Sequence, residues 1–425
     1  MWVDIMIKSE RIDKIVSALI IVFLFTSVDT LLFGTNKNQL FLYIPRIIAV
    51  LGIFGLPILF HGSLGKVKIN FRELATLLLF LFLMTISSII NHENTLTFIS
   101  RSLAIILGYS ICRNVRKEVF FKAFDKAMII ISIGTLIMEL IAYLIPSLLL
   151  HLPKVYNTAD KLHYTFYLSS VYDRNNLGTT LIRTSGIFWE PGAFAIYLVL
   201  AIFVQLFILD SPRIKTIILY LIALLFTFST TGYISASALL LTYIFSERSS
   251  GVSKRLKRLF IAIIVVVLII SIGAENSELY SKVFGKLTSG TSSATTRYSS
   301  IFNGIKVVLD HPIFGVGSQS QDYMAFYVDS VGNQYSNGGY IITNTVVGYT
   351  VNYGVLFGVL FVIGTLKFVK IYASSKLEEI MLFIVFLMAY SGERFFSFLP
   401  FVFVFYGLKY KEIDYNENSS NKFSS

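Results

Sequence analysis

The sequence predicts an all-α protein that crosses a membrane about twelve times. Of its 425 residues, 55% are hydrophobic and only 14% are charged, whereas soluble domains carry about 25% charged residues. The apolar residues stand in blocks, many of which approach the roughly 20 residues that a spanning helix needs. Lysine and arginine are concentrated in every second connection between these blocks, as expected of cytoplasmic loops.

The apolar blocks predict ten to twelve transmembrane helices, because the last two blocks are short and could form one re-entrant hairpin. The first block begins at Ile15; it is too long for a signal-peptide core and lacks a cleavage site, so it is predicted to be an uncleaved span. The predicted spans lie near 15–33, 40–60, 73–90, 95–112, 126–149, 187–209, 213–230, 232–246, 258–274, 344–366, 378–391 and 395–408.

These spans divide the chain into six parts. They are 1–149 with helices one to five, a long outer loop at 150–186, 187–274 with helices six to nine, a second long outer loop at 275–343, 344–408 with the C-terminal helices, and a cytoplasmic tail at 409–425. The second outer loop is predicted to contain an amphipathic helix at 297–310, because its apolar residues recur at helical spacing.

The distribution of positive charge predicts that both termini are cytoplasmic. The net charge of +11 is therefore explained by topology, and no nucleic-acid partner is predicted. The basic connections contain Lys8, Arg11, Lys14, Lys66, Lys68, Arg72, Arg113, Arg116, Lys117, Lys122, Arg213, Lys215, Arg248, Lys254, Arg255, Lys257, Arg258, Lys367, Lys370, Lys376, Lys409 and Lys411.

Five arginines fall near the predicted outer ends of spans or in the outer loops. They are Arg46, Arg101, Arg183, Arg297 and Arg394. Arginine stays charged when desolvated and binds phosphate with a planar pair of donors, so this group predicts an anionic ligand at the outer face. Two simpler explanations stay open. Arg46 and Arg101 could snorkel to headgroups or pair with Asp29 or Glu139, and Glu190 could merely cap a helix.

The acidic and histidine residues indicate chemistry without a metal or other cofactor. No Asp-x-Asp occurs, the outer carboxylates are mostly scattered singly, and the five histidines form no pair at helical spacing. A divalent-metal site for a sugar-phosphate donor would require clustered carboxylates. The single cysteine, Cys112, excludes an internal disulfide and is predicted to be a small buried side chain.

Three motifs stand out in the second half of the chain. The first runs from Arg183 to Gly192 and reads RTSGIFWEPG, and the second begins at Phe228 and reads FSTTGY. The third combines Arg297 with HPIFGVG at 311–317, followed by Asn344, Gly354 and Gly358. Together they resemble the motifs of the O-antigen polymerase and ligase family (the Wzy and WaaL group) of bacterial envelopes.

The resemblance implies a multi-pass protein of the inner membrane that acts at the periplasmic face. Members transfer a glycan from an undecaprenyl diphosphate carrier to a hydroxyl, with inversion and without metal. In a polymerase the acceptor is a second carrier-linked repeat unit, so donor and acceptor are both lipid-linked oligosaccharides, and a chain-length regulator is a further expected partner beside membrane lipid. In a ligase the acceptor is the lipid A core. Ligases place a histidine just before the position of Asn344, where this chain has Thr343, which favours a polymerase.

The resemblance and the charges give a mechanistic hypothesis. Arg183 and Arg297 would stabilise the leaving diphosphate, assisted by Arg101 or Arg394. Glu190 is the favoured general base and His311 is the alternative. Residues predicted to contact sugar are Gln321, Tyr323 and Asn344. A flippase for lipid-linked oligosaccharides is the rival from another class, but the chain lacks the evident repeated halves on which alternating access is commonly built.

Overall fold

The computed structural model describes residues 2–35, 38–61, 71–157, 162–173, 183–248, 261, 292–319, 342–395 and 397–409. The predicted span at 258–274 lies outside these residues apart from Ile261, as does the predicted tail at 410–425.

The described chain is mainly helical. The helices are α1 (Trp2–Phe25), α2 (Leu31–Gly34), α3 (Gln39–His61), α4 (Phe71–Ile90), α5 (Thr95–Asn114), α6 (Lys117–Leu144), α7 (Pro146–Leu149), α8 (Pro191–Phe203), α9 (Ile214–Leu225), α10 (Thr230–Phe245), α11 (Ser292–Asp310), α12 (Thr345–Tyr353), α13 (Val355–Tyr372), α14 (Lys376–Gly392) and α15 (Leu399–Lys409).

Six of the described segments are long and apolar enough to cross a membrane. They lie in α3, α4, α5, α6, α13 and the stretch Pro191–Ile208, and α9, α10 and α15 are shorter apolar helices. A multi-pass helical membrane protein is therefore confirmed, whereas the number of twelve spans stays a prediction.

Two predicted spans have a different form in the structure. The first, at 15–33, ends as a helix at Phe25 and continues through a turn into α2. The tenth, at 344–366, is broken into α12 and α13 at Gly354. The break follows from Gly354, whose φ of +89° lies in the region that favours glycine.

The first long loop contains a β-sheet, so the purely α-helical prediction was wrong there. Strands β1 (Lys154–Tyr156), β2 (Leu162–Thr165), β3 (Ser170–Asp173) and β4 (Arg183–Gly186) form an antiparallel sheet in that order. Val171 pairs with both Tyr164 and Thr184 and faces a small core with Met138 and Ala142 of α6. The sheet is thereby anchored on the helical bundle.

The helical core is rich in aromatic side chains. Phe368 of α13 stacks on Phe403 of α15 with ring centroids 4.9 Å apart, and Phe121 of α6 lies parallel to Phe403 at 6.3 Å. Offset and edge contacts of this kind are the arrangements that aromatic pairs prefer.

The segment after α8 is a π-helix at Val204–Ile208, which carries Gln205 to a buried carboxylate. Asp125 of α6 accepts hydrogen bonds from Gln205 at 2.6 Å, from the Tyr220 hydroxyl at 2.7 Å, and from Arg213. A buried charge needs such complete pairing. This network stabilises one end of the bundle. We call it the opposite end, because it lies away from the end that contains the sequence motifs, described next.

The other end gathers the turns that follow α1, α4, α9 and α14 with the β-sheet. Leu31 donates its N–H to the carbonyl of Ile187 at 2.9 Å, and Thr30 forms a β-bridge with Phe188. We call this the motif end, because it contains the described parts of all three sequence motifs.

Candidate functional site

The first two motifs are joined by hydrogen bonds. Arg183 lies in β4, and its Nε and Nη2 donate to the carbonyls of Thr227 and Phe228 at 3.0 and 3.3 Å. The adjacent Thr184 donates its N–H to the carbonyl of Phe226 at 3.2 Å. Arg183 is therefore held in a fixed orientation by the turn that leads into α10.

The backbone of that turn is strained at Phe228, whose carbonyl accepts a hydrogen bond from Arg183. Phe228 has a φ of +46°, which is uncommon for a residue other than glycine. Ser229 then caps α10 by accepting from the N–H of Gly232 at 3.3 Å. Backbone strain of this kind clusters at functional sites, and here it coincides with the second motif.

Glu190 lies at the N-cap position of α8, and its side chain makes no capping hydrogen bond. The proposed capping role is therefore not observed. A second carboxylate lies close to this helix start, because a Cβ on Gly192 would come within 2.6 Å of Oε1 of Glu393. The glycine of the Glu-Pro-Gly motif thus leaves room for Glu393.

A cluster of charged and aromatic side chains lies where α5 meets α12. Nη1 of Arg101 donates to Oε1 of Glu93 at 2.9 Å and to the hydroxyl of Tyr353 at 2.6 Å. The carboxylate of Glu93 is fully buried and also accepts from the hydroxyl of Ser88. Arg101 thus pairs with Glu93, a partner that was not considered from the sequence.

Arg394 belongs to the same cluster. Its guanidinium lies against Gly348 of α12, where a Cβ would come within 2.9 Å of Nε. Burial, and then the charge of Arg101, lower the pKa of Arg394 to about 10, so it remains charged at neutral pH. We call Glu93, Arg101, Tyr349, Tyr353 and Arg394 the arginine cluster. It brings two guanidinium groups together beside the buried carboxylate of Glu93.

The third motif shapes the backbone around α12. His311 follows α11; it is exposed, and its carbonyl accepts from the N–H of Gly315 at 3.1 Å. Val316 and Val355 then bond to the carbonyls of Val351 and Pro312 at 2.9 and 2.8 Å. In the described part of the chain this segment therefore acts as a brace for the end of α12.

Asn344 begins α12, and its Oδ1 accepts from the N–H of Val347 at 2.9 Å. Asn344, which was predicted to contact sugar, thus uses its Oδ1 to cap α12, and its sugar contact stays a prediction. The preceding Thr343 has a buried hydroxyl with no hydrogen-bond partner among the described residues. Its N–H donates to the hydroxyl of Ser300 at 3.1 Å, which links α12 to α11 one turn after position 297.

Several predicted site residues cannot be compared with this geometry. The side chain of Arg297 and the residues Gln321 and Tyr323 lie outside the described parts of the chain. The helix that carries Arg297 begins at Ser292, five residues before the predicted start. The roles of these three residues remain predictions.

The structure brings Arg101 and Arg394 together and places Arg183 and Glu190 at the same end of the bundle. Sequence reasoning missed Glu93, Tyr349, Tyr353 and Glu393 as members of the site. Glu93 had a sequence signal, since it stands in a four-residue turn between two apolar spans. The two tyrosines had none, because they resemble ordinary aromatic residues of a helix.

Metal binding finds no support in the described residues, which contain no group of three or more His, Cys, Asp or Glu that could hold an ion. The buried carboxylate of Glu93, which could otherwise be considered as a metal ligand, forms an ion pair with Arg101. Metal-independent chemistry remains a prediction.

The family comparison covers the third motif and most of the second half of the bundle. Residues 216–363, about a third of the chain, match the family model Wzy_C, which is described as O-antigen ligase. The match includes FSTTGY, position 297, HPIFGVG and Asn344, but not the first motif or Arg394. No curated protein matches the chain.

Proposed function

We propose that the protein is a polysaccharide polymerase of the bacterial inner membrane, on the basis of the motifs and of the match of residues 216–363 to the O-antigen ligase family model. It would join repeat units carried on undecaprenyl diphosphate at the periplasmic face. The observation that carries this proposal is the arginine cluster at the end of the bundle where the motifs meet, which we propose as the site for the diphosphate.

In the proposed reaction, a hydroxyl of the acceptor sugar attacks the anomeric carbon of the donor. The bond between that carbon and the diphosphate oxygen breaks, and the diphosphate leaves with an additional negative charge. Arg101 and Arg394 would stabilise this charge, together with Arg183 and Arg297. Preorganised donors in a poorly hydrated site are the most effective way to do so.

The acceptor hydroxyl must lose a proton in this step, and we propose Glu190 as the base that takes it. Glu190 lies at the start of α8, and it stands seven residues after Arg183, which bonds to the second motif. His311 is the less favoured base. It is exposed, and its backbone braces α12.

The polymerase is favoured over the ligase by position 343. The base that the resemblance places there in ligases is replaced by a threonine, whose hydroxyl cannot act as a base near neutral pH. The ligase remains the second candidate, because the matching family is described by that activity.

Deletion of the gene separates these functions through the lipopolysaccharide that the cells make. A polymerase mutant would cap its lipid A core with single repeat units, which is the result we expect. Polymer that accumulates on its lipid carrier would instead identify a ligase. Repeat units trapped on the cytoplasmic side would identify a flippase, and either of these results would overturn the proposal.

A further inference from the structure

A groove between α1, α3 and α5 lies beside the arginine cluster and contains an arginine of its own. Arg46 stands seven residues after the start of α3, about 10 Å along the helix at 1.5 Å per residue. Nε of Arg46 donates to the hydroxyl of Ser100 at 2.5 Å, and Nη1 donates to the carbonyl of Leu42 at 2.9 Å.

The positive charge of Arg46 is not balanced by an ion pair in the described residues. Two buried carboxylates at this end of the bundle have other partners, since Asp29 accepts from the Tyr197 hydroxyl at 2.7 Å and Glu93 pairs with Arg101. A charge within an apolar segment is costly unless an anion accompanies it. Among the described residues, Arg46 therefore has a charge that an anionic ligand in the groove could balance.

The groove provides further polar and apolar surface for such a ligand. The Oγ of Ser27, beside the hydroxyl of Tyr197, is buried and forms no hydrogen bond of ordinary geometry with a described residue. Ala49, Leu103 and Phe398 are among the apolar residues that line the groove, whose volume is about 40 Å³.

Two adjacent residues of α5 link the groove to the arginine cluster. Ser100 bonds to Arg46, whereas Arg101 bonds to Glu93 and Tyr353. Ser397 and Phe398, which line the groove, follow Arg394 closely in the chain. The two cationic sites therefore flank the outer half of one helix.

We propose that this groove holds the phosphate end of a second lipid carrier, the acceptor, with its diphosphate on Arg46 and Ser100 and the start of its single chain against Ala49 and Phe398. The proposal rests on the proposed polymerase function, in which one turnover requires two carriers. The donor diphosphate gains charge as it leaves and needs several arginines. The acceptor diphosphate keeps its bonds, so one arginine suffices.

Native mass spectrometry of the full chain in detergent, with undecaprenyl diphosphate added, tests the proposal by counting bound lipids. We expect two bound molecules for the wild type and one for Arg46→Gln. Ala49→Phe, which fills the groove, should also reduce the number to one. The matched control Val50→Phe places the same bulk on the exposed side of α3 and should retain two.

The possible failures are distinguishable. A wild type that binds one molecule, retained in Arg46→Gln, overturns the groove proposal and leaves the donor site intact. If Arg101→Lys then loses this one bound lipid and Arg46→Gln keeps it, the lipid occupies the donor site and the groove is empty. Phosphatidylglycerol that displaces the second molecule at equal concentration would show an ordinary two-chain lipid site, and would also overturn it. A chain that binds no undecaprenyl diphosphate contradicts the proposed function itself.

Discussion

Arg101 and Tyr353 are 252 positions apart in the sequence, yet Nη1 of Arg101 donates to the Tyr353 hydroxyl at 2.6 Å. The guanidinium also lies 5.7 Å from the centre of the tyrosine ring. The bond joins the first half of the bundle to α12, which lies in the region that matches the family model. It also sets the direction in which Arg101 presents its remaining donors.

Tyr353→Phe tests how much of this arrangement depends on the hydroxyl. The ring remains, so we expect the rate of polymer formation to fall by no more than about tenfold, the effect of one hydrogen bond.

Arg101→Lys should lower the rate of polymer formation by about 10²–10³-fold, because lysine lacks the planar fork. The assay follows polymer made from lipid-linked repeat units by purified protein in vesicles. Tyr156→Phe, in the exposed edge strand, is the control, and equal losses in Arg101→Lys and Tyr156→Phe would refute the role.

Arg183→Lys tests the link between the first two motifs. Lysine keeps the charge but cannot bridge the carbonyls of Thr227 and Phe228, so we expect about a 10²-fold loss of polymer formation. Arg248→Lys is a matched control at the opposite end, where Arg248 donates to the carbonyl of Phe207 at 3.0 Å. That variant should retain activity. Normal chain lengths in Arg183→Lys, with the protein present in the membrane, would eliminate Arg183 from diphosphate binding.

Glu190→Gln tests the base. We expect polymer formation to fall by about 10²–10⁴-fold, the range for a positioned general base, while undecaprenyl diphosphate still binds. Glu393→Gln removes the neighbouring carboxylate and should have a smaller effect. If Glu190→Gln is fully active and His311→Gln is not, the base is His311 instead.

Gly354→Ala tests the break between α12 and α13. Alanine at φ +89° is strained, and its Cβ would come within 1.9 Å of the carbonyl oxygen of Ile313. We therefore expect a loss of at least about 1–3 kcal/mol in the free energy of unfolding, measured by thermal unfolding in detergent. Gly55→Ala is the control. No heavy atom lies within 4 Å of its added Cβ, and the change should be neutral or slightly stabilising within helix α3. Similar melting temperatures for the two variants would contradict the assigned role of Gly354.

The helical membrane architecture could be predicted because apolar blocks record it directly in the sequence. The sheet could not, because its strands are three or four residues long and alternate only weakly. Arg183 was expected just before a helix and lies in β4, since its strand is formed by pairing with β3 and not by local propensity. Likewise, the π-helix after α8 depends on the distant partner of Gln205.

The sequence identified the arginines of the candidate site better than their partners. A charged residue next to an apolar segment can be recognised from the sequence alone, so Arg101 and Arg394 could be predicted as site residues. The two arginines come together because α5 and α12 pack against the turn after α14. The spacing of residues in the sequence does not predict this packing. The glycines of the third motif were interpreted as family markers, and the structure supplies the reason for Gly354, with its positive φ, and for Gly358, where a Cβ would come within 2.0 Å of Oγ1 of Thr350.

Because of the π-helix at Val204–Ile208, the number of residues in the segment after Pro191 determines which way its side chains face. A π turn holds about one residue more than an α turn, so the two ends of this segment face in directions that a regular helix would not combine. Tyr197 reaches Asp29 and Ser397, while Gln205 reaches Asp125. Deleting a single residue within the π turn would rotate everything beyond it by about 100° and uncouple the two ends. An alignment gap at this position in a relative would therefore signal a different inner network, even where every motif residue is the same.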